Sequence, residues 1–236
     1  MASTVIKNWD NKTWLSSQHY IKKFNKFLLK NIKLSPNSQI LDVGCGRGKI
    51  IGNLSSVLKL KNKPIGIDII DHKDKDKRID FKKVGALKFF NNNEKKFDLI
   101  LIKQTIHLLS FIEIKRLLKL SKKNLSSNGK IFIFSLDAYK NEIPTFRKMR
   151  NKLLKSFQKD KDILKLIINL NAQTIKRKFI FDVKIAKKKY LKMIQNRYIS
   201  TLLSLTKKEL LKGMKEIDLK YERNINFKDK LICLIL

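Results

Sequence analysis

Three closely spaced glycines, Gly44, Gly46 and Gly48, have the residue type and spacing of a ligand-binding loop. They follow an apolar segment, 39–43, that is typical of a short buried strand, and they open a predicted helix over about 49–58. Glycine lets a ligand approach the backbone closely. The helix start offers free N–H groups and a partial positive charge, which suit a carboxylate or a phosphate.

An acidic residue, Asp68, stands at the end of the next apolar segment, 64–69. An acid at the end of the second strand of a βαβ unit can accept hydrogen bonds from both hydroxyls of a ribose. The glycines are spaced Gly-x-Gly-x-Gly, which differs from the Gly-x-Gly-x-x-Gly dinucleotide fingerprint. Strand, glycine loop, helix, strand and terminal acid together predict a site for an adenosine-containing ligand.

Polar residues follow a strongly apolar fourth strand, 97–102. Gln104 is placed to contact the ligand, and His107 is the titratable group suited to removing a proton near neutral pH. The alternative for His107 is a histidine that only satisfies the start of a helix. His72 lies in a charged loop and is predicted to face solvent.

Aromatic and basic residues outside the glycine loop are the candidates for substrate contact, namely Trp14, Tyr20, Tyr190, Arg197 and Tyr198. The first two belong to an N-terminal segment that is either a lid over the site or a staple that holds the first helix on the sheet. The last three lie in a Lys-rich region whose helices are otherwise expected to present solvated faces.

Strands that alternate with helices from residue 39 to 136 predict a doubly wound, mostly parallel sheet covered on both faces. We predict one domain, in which 1–34 forms an N-terminal helical lid and 39–136 the cofactor-binding core. Helical patterns dominate 140–220, which is interpreted as a cap over the carboxyl edge of the sheet. The segment 224–236 is predicted to be a terminal antiparallel hairpin.

The segment 41–48, Leu-Asp-Val-Gly-Cys-Gly-Arg-Gly, resembles motif I of the class I S-adenosylmethionine-dependent methyltransferases. Asp68 matches their ribose-binding acid, 97–100 resembles their fourth-strand motif, and 125–130 resembles the turn before their fifth strand. The stretch 196–200 looks like the small-molecule, trans-aconitate type. The resemblance implies a Rossmann-like, seven-stranded sheet, S-adenosylmethionine as the cofactor and a small-molecule acceptor.

The resemblance also implies a set of cofactor contacts, which comprises Asp42, Gly44, Cys45, Gly46, Asp68, Ile69, Gly85, Ala86 and Gln104. In that set Asp42 binds the ammonium group of the methionine portion, and Ile69 stacks on adenine. Gly85 stands where family members often carry an acid for the adenine amino group, so adenine would be bound here by backbone groups. His107 is the candidate catalytic base if the acceptor is a hydroxyl.

The formal net charge of +34 favours polyanionic partners such as RNA. Lysine supplies most of the basic residues, however, and Lys, Asn and Ile are all favoured by A+T-rich codons. The charge therefore has a compositional explanation as well. An RNA methyltransferase and a non-catalytic nucleotide-binding or RNA-binding protein remain the alternatives to the small-molecule enzyme.

Two widely separated cysteines, Cys45 and Cys233, match no disulfide or metal-binding spacing. The chain shows no apolar leader and no run long enough to cross a bilayer. A cytoplasmic location without metal or membrane partner is the expectation, and the oligomeric state is left open.

Overall fold

The computed structural model describes residues 13–236. Its centre is a seven-stranded sheet in the order β3-β2-β1-β4-β5-β7-β6. The first five strands of that order run parallel, and β7 runs antiparallel to both β5 and β6. The strands are β1 (Ile40–Val43), β2 (Ile65–Asp68), β3 (Asp80–Lys83), β4 (Phe97–Lys103), β5 (Leu125–Leu136), β6 (Ile175–Ala186) and β7 (Asn224–Ile235). The predicted doubly wound, mostly parallel sheet is confirmed.

Seven helices flank the sheet in the described part of the chain: α1 (Gln18–Asn31), α2 (Lys49–Leu58), α3 (Ala86–Asn91), α4 (Phe111–Lys123), α5 (Arg147–Asn169), α6 (Lys187–Gln195) and α7 (Lys207–Lys220). Successive residues of β4 point to opposite faces, because side chains alternate along a strand. Leu99 and Leu101 join the core cluster that also contains residues of α1, α6 and α7. Ile100 and Ile102 join the cluster that contains residues of α3 and α4.

Side-chain caps set the start of two helices that border the carboxyl edge. Ser110 and Glu113 form a capping box at α4, and Thr206 and Glu209 form another at α7. In each box the hydroxyl of the cap residue accepts the backbone N–H of the glutamate, and the glutamate carboxylate accepts the backbone N–H of the cap residue. Both bonds satisfy backbone donors that the first turn of a helix leaves unpaired. These caps fix the residues at which α4 and α7 begin.

The C-terminal region differs from its prediction in two respects. The segment expected to be a helical cap contains α5, α6 and α7, but also the long strand β6. The predicted antiparallel C-terminal strands are confirmed, but not as a hairpin within 224–236: β7 is one continuous strand that pairs with β6 along its whole length. The reason is the alternation in β6, where Phe179, Phe181 and Val183 are buried between exposed residues, a period of two that suits a strand.

Helix α5 crosses from one core cluster to the other. Met149 near its start belongs to the cluster of α1 and α6, and Ile163 and Ile167 belong to that of α4. Between them, Leu153 and Phe157 pack in a cluster with Ala138 and against Leu136, at the carboxyl end of β5. Helix α5 therefore passes over the carboxyl edge of the sheet. None of the helices in residues 13–236 is long and apolar enough to cross a membrane.

Candidate functional site

The glycine loop connects β1 to α2, and all three of its glycines have positive φ angles. A Cβ atom on Gly44 would lie 2.2 Å from Thr105 Oγ1, so this glycine is required by the close approach of the segment after β4. A Cβ on Gly46 would have no atom within 4 Å. The N–H groups of Gly44 and Cys45 donate to Ile67 O at 2.8 and 3.0 Å, which ties the loop to β2. Gly46 therefore marks the open part of the loop.

Asp68 ends β2 beside this loop. Its carboxylate accepts the N–H of Gly46 at 2.9 Å and the N–H of Ile70 at 2.9 Å. His72 is buried, and its Nε2 lies 3.8 Å from Asp68 Oδ2. The prediction that His72 faces solvent is wrong, because the chain after β2 folds back over Asp68. The structure brings Asp68 and Gly46 together, as the sequence argument requires.

An apolar side chain is exposed next to Asp68. Ile69 is 64% exposed, and a Cβ on Gly85 would lie 3.7 Å from Ile69 Cγ2. Gly85 precedes α3, which begins at Ala86. A large side chain at position 85 would fill the space beside Ile69, so the glycine leaves this exposed apolar side chain accessible.

Cys45 lies inside the loop but carries no nucleophilic character. Its Sγ packs close to Gly66 of β2, where a Cβ would come within 2.8 Å of it. Burial raises the pKa of the thiol strongly, and the nearby carboxylates of Asp42 and Asp68 raise it further. Because the thiolate is the reactive form, Cys45 is a small packing residue of the loop.

Asp42 is a buried acid of β1, directly before the loop. Burial raises its pKa to about 7, with Lys103 lowering it and Asp68 raising it. At neutral pH this carboxyl is therefore divided between its neutral and charged forms. A cation that arrived beside it would favour the charged form.

Lys103 is a charged residue at the carboxyl end of β4, and the sequence argument does not single it out. Its ammonium donates to Gln104 Oε1 at 3.1 Å and lies 5.4 Å from the ring centre of Tyr20. Its charge acts on Asp42 and also on Asp229 of β7. The sequence feature that could have indicated Lys103 is its position as the charged last residue of an almost wholly apolar strand. Asp229 is harder to predict from the sequence, because its approach to Lys103 depends on the antiparallel pairing of β7 with β5.

Gln104 and His107 both lie at the carboxyl edge, as predicted. Gln104 has φ of 53°, a left-handed conformation that is uncommon for a residue with a side chain and is held here by a 2.8 Å bond from its N–H to Phe134 O. Burial, together with the nearby charge of Lys159, lowers the pKa of His107 to about 4. His107 is therefore neutral near pH 7 and a weak base.

Aromatic residues form a buried group between the N-terminal segment and α6. Trp14 Nε1 donates to Asp229 Oδ2 at 2.9 Å. Tyr190 donates to Pro144 O at 2.6 Å and lies 2.8 Å from the Tyr198 hydroxyl. The Tyr20 hydroxyl is buried without a hydrogen-bond partner in the described chain. Trp14 and Tyr20 thus pack the N-terminal segment onto the sheet, close to Lys103.

Arg197 does not share this group. Its guanidinium donates to the backbone carbonyls of Leu202 and Leu203 and so holds the short 3₁₀ turn Ser200–Leu202. These contacts favour a structural role over substrate binding. Residues 13–236 contain no cluster of three or more histidines, cysteines and acids that could hold a metal ion.

Comparison with known proteins identifies the fold. A candidate methyltransferase of an antibiotic biosynthesis pathway from Anabaena variabilis has a TM-score of 0.61 at 14% identity, covering 90% of this chain and 96% of that one. A candidate methyltransferase from Bacillus halodurans has a TM-score of 0.53 at 15% identity, covering 89% and 96%. The chain has a methyltransferase fold. No protein-family model and no curated protein matches the sequence.

A third solved structure with this fold contains ligands. It is a plantazolicin methyltransferase in complex with a monoazolic desmethyl-plantazolicin analogue and S-adenosylhomocysteine, with a TM-score of 0.53 at 16% identity over 97% of this chain and 87% of that one. In open α/β sheets of this kind ligands bind outside the carboxyl ends of the strands. The glycine loop, Asp68 and Gln104 of this chain all lie at that edge.

Proposed function

We propose that this protein is a methyltransferase that binds S-adenosylmethionine at the glycine loop and transfers its methyl group to a small-molecule acceptor. The observation that carries the proposal is the open backbone at Gly46 beside the Asp68 carboxylate, in a chain with a methyltransferase fold. A Cβ-free, left-handed position with empty space before it is what close approach of a ligand to the backbone requires.

The residues at the carboxyl edge fit the parts of this cofactor. Asp68 would accept the ribose hydroxyls with the carboxylate lone pairs that the N–H groups of Gly46 and Ile70 leave available. The exposed side chain of Ile69, with the space before Gly85, suits a flat adenine ring. Asp42, whose pKa is raised mainly by burial, would gain a further counter-ion from the ammonium group of the methionine portion.

Bound S-adenosylmethionine supplies an already activated methyl group, so the protein need only align the acceptor and exclude water. The passage of α5 over the carboxyl edge supports an enclosed acceptor site. Trp14, Tyr20 and Tyr198 are proposed to line it, with Tyr190 holding Tyr198 in place. Neutral His107 is proposed to accept a hydrogen bond from the acceptor, and its low pKa favours acceptors that need no strong base.

Release of S-adenosylhomocysteine tests this function. Purified protein is incubated with S-adenosylmethionine and a panel of small acids, phenols and amines, and the product is measured by mass spectrometry. We expect wild-type turnover on at least one class and a loss of about tenfold or more in Asp68→Asn, since charge-assisted hydrogen bonds are worth about 1.5–3 kcal/mol.

Asp98→Asn is the matched control. Asp98 lies at the opposite end of β4, where its carboxylate accepts Gln39 N–H at 2.7 Å and the Ser126 hydroxyl at 2.6 Å. This variant changes the same functional group away from the site, and its turnover should follow its folded fraction. Equal activity of Asp68→Asn and wild type would contradict the proposed cofactor site.

A further inference from the structure

Three large apolar side chains are exposed within the segment 108–112, at the rim of the candidate site. Leu108 is 65% exposed, Phe111 43% and Ile112 80%. They lie between the 3₁₀ turn Ile106–Leu108, which follows β4, and the first turn of α4. Exposed apolar side chains grouped in this way are typical of an interaction surface. We call these three residues the rim patch.

Basic side chains surround the rim patch. Lys159 of α5 donates to His107 O at 2.8 Å and to Leu109 O at 3.2 Å, so its ammonium is fixed next to the patch. Lys155 lies one turn away on the same face of α5, because residues four apart are neighbours on a helix. Lys115 and Arg116 are exposed on α4, three and four residues after Ile112, and so share its face.

The two α5 lysines beside the rim patch are not held in close ion pairs within the described part of the chain. In residues 13–236, neither Lys155 nor Lys159 forms an ion pair with a carboxylate. Two acids lie near Lys159: Glu113, whose carboxylate is turned back to accept the N–H and hydroxyl of Ser110, and Asp160, the next residue on α5, which is buried. The surface therefore combines exposed apolar side chains with ammonium and guanidinium groups held around them.

We propose that the rim patch and its basic border dock the protein on the surface of an anionic lipid membrane. Interfacial binding needs apolar side chains that enter the boundary of the acyl chains together with cations that meet anionic headgroups. Single-stranded RNA would instead be served by cations and stacking aromatics, and two of the three exposed side chains here are aliphatic. Docking in this orientation turns the carboxyl edge of the sheet towards the membrane.

This surface is distinct from a membrane-spanning segment, and the proposal does not depend on methyl transfer. It is tested by flotation of the full-length protein with two kinds of vesicle, phosphatidylcholine alone and phosphatidylcholine with about one third phosphatidylglycerol. We expect flotation with the anionic vesicles and little with the neutral ones. Added salt should weaken the binding, because exposed charges are screened.

Two double variants separate the components of the surface. Phe111→Ser with Ile112→Ser removes apolar area, and Lys155→Gln with Lys159→Gln removes charge. Each should lower the partition coefficient by about tenfold or more, given the size of the apolar groups and about 1 kcal/mol for each surface lysine. Unchanged far-ultraviolet circular dichroism and unchanged melting would show that each variant is folded.

Helix α7 provides the matched controls. It also carries exposed leucines, Leu211 at 49% and Leu219 at 89%, and exposed lysines at 212 and 215. Changing the two leucines to serine, or the two lysines to glutamine, should leave flotation within about twofold of wild type.

Three results would overturn the proposal. One is the absence of flotation with anionic vesicles. Another is equal weakening in the α7 variants, which would assign the binding to the overall charge. The third is binding of a fluorescent twelve-uridine oligonucleotide that the rim-patch variants abolish while vesicle binding is absent, which would make the partner RNA.

Discussion

At the scale of single residues, the buried charge of Asp42 lowers the stability of the fold, although the same charge would favour binding of the cofactor's ammonium group. Its folded pKa of about 7 lies above the ordinary value of 3.8, with burial as the main cause. A group whose pKa is raised on folding contributes its stability fully below the unfolded pKa, and this contribution is lost as pH rises through the folded value. The destabilising effect of Asp42 therefore grows as the pH rises from about 4 to about 7, and it stays at its full size above pH 7.

Replacing this acid with its neutral isostere should stabilise the protein. We expect Asp42→Asn to raise the unfolding free energy by about 1–2 kcal/mol at pH 8 and to change it little at about pH 3, where Asp42 is mostly protonated in both the folded and the unfolded state. Chemical denaturation at the two pH values measures this. In Asp98→Asn, by contrast, lost hydrogen bonds should reduce stability at pH 8. A destabilised Asp42→Asn protein at pH 8 would show that the carboxylate is paired.

The same residue predicts how cofactor binding depends on pH. Because a bound ammonium group favours ionised Asp42, binding should release a proton when the free protein holds one. The dissociation constant for S-adenosylhomocysteine should then fall by roughly tenfold from pH 6 to pH 8. Calorimetry in buffers of different ionisation enthalpy measures the released proton. An affinity that does not change with pH would place the ammonium group away from Asp42.

Gly46 and Gly44 differ in what a methyl group would meet. In Gly46→Ala the methyl enters open space, so we expect a loss of only about 1–2 kcal/mol from the left-handed backbone, together with loss of cofactor binding. In Gly44→Ala the methyl meets Thr105, and unfolding should occur well below the wild-type temperature. Thermal melts with and without S-adenosylhomocysteine separate the two. A ligand-induced shift retained in Gly46→Ala would show that the cofactor lies elsewhere.

At the scale of elements, the contact of α7 with the start of α5 limits the size of the side chain that α7 can have at position 213. A Cβ on Gly213 would lie 2.4 Å from the ring of Phe146. An exposed helical Gly→Ala change gains up to about 1 kcal/mol. Here we expect Gly213→Ala to lose about 1–3 kcal/mol through overpacking, as measured by urea denaturation. Adding Phe146→Leu should recover part of the loss. A Gly213→Ala protein more stable than wild type would mean that the two elements are loosely packed.

The elements that follow local patterns are the ones that sequence analysis predicts. The apolar strands β1, β2 and β4 and the capped helix α4 lie where their composition indicates. Strand β6 departs from the helical prediction, because its lysines alternate with buried residues such as Phe179 and Phe181 in a region of helical patterns. What settles it as a strand is pairing with β7, a contact between distant parts of the chain.

The candidate site also contains residues that local sequence spacing predicts and residues that only long-range strand pairing brings together. Gly46 and Asp68 belong to one βαβ unit, so their spacing in sequence predicts that they meet. Lys103 and Asp229 approach each other only because β4 and β7 flank β5 in the folded sheet. That approach depends on long-range pairing, which no local spacing encodes.

At the scale of the whole molecule, the excess of positive charge opposes the compact state. The chain has 54 lysines and arginines against 20 acids. Self-repulsion of this kind is screened by salt. We expect the melting temperature to rise by a few degrees between about 20 and 200 mM NaCl, as followed by circular dichroism. A melting temperature that falls over this range would mean that ion pairs such as those of Asp76 outweigh the repulsion.

The central claim, a cofactor site between Gly46 and Asp68, is tested most directly by calorimetric titration with S-adenosylhomocysteine. The measurement compares wild type, Asp68→Asn and the control Asp98→Asn at pH 8. We predict micromolar binding by wild type and by Asp98→Asn, and binding weakened by about tenfold or more in Asp68→Asn. No heat of binding from folded wild-type protein at sub-millimolar ligand, or equal affinity in Asp68→Asn, would contradict the claim.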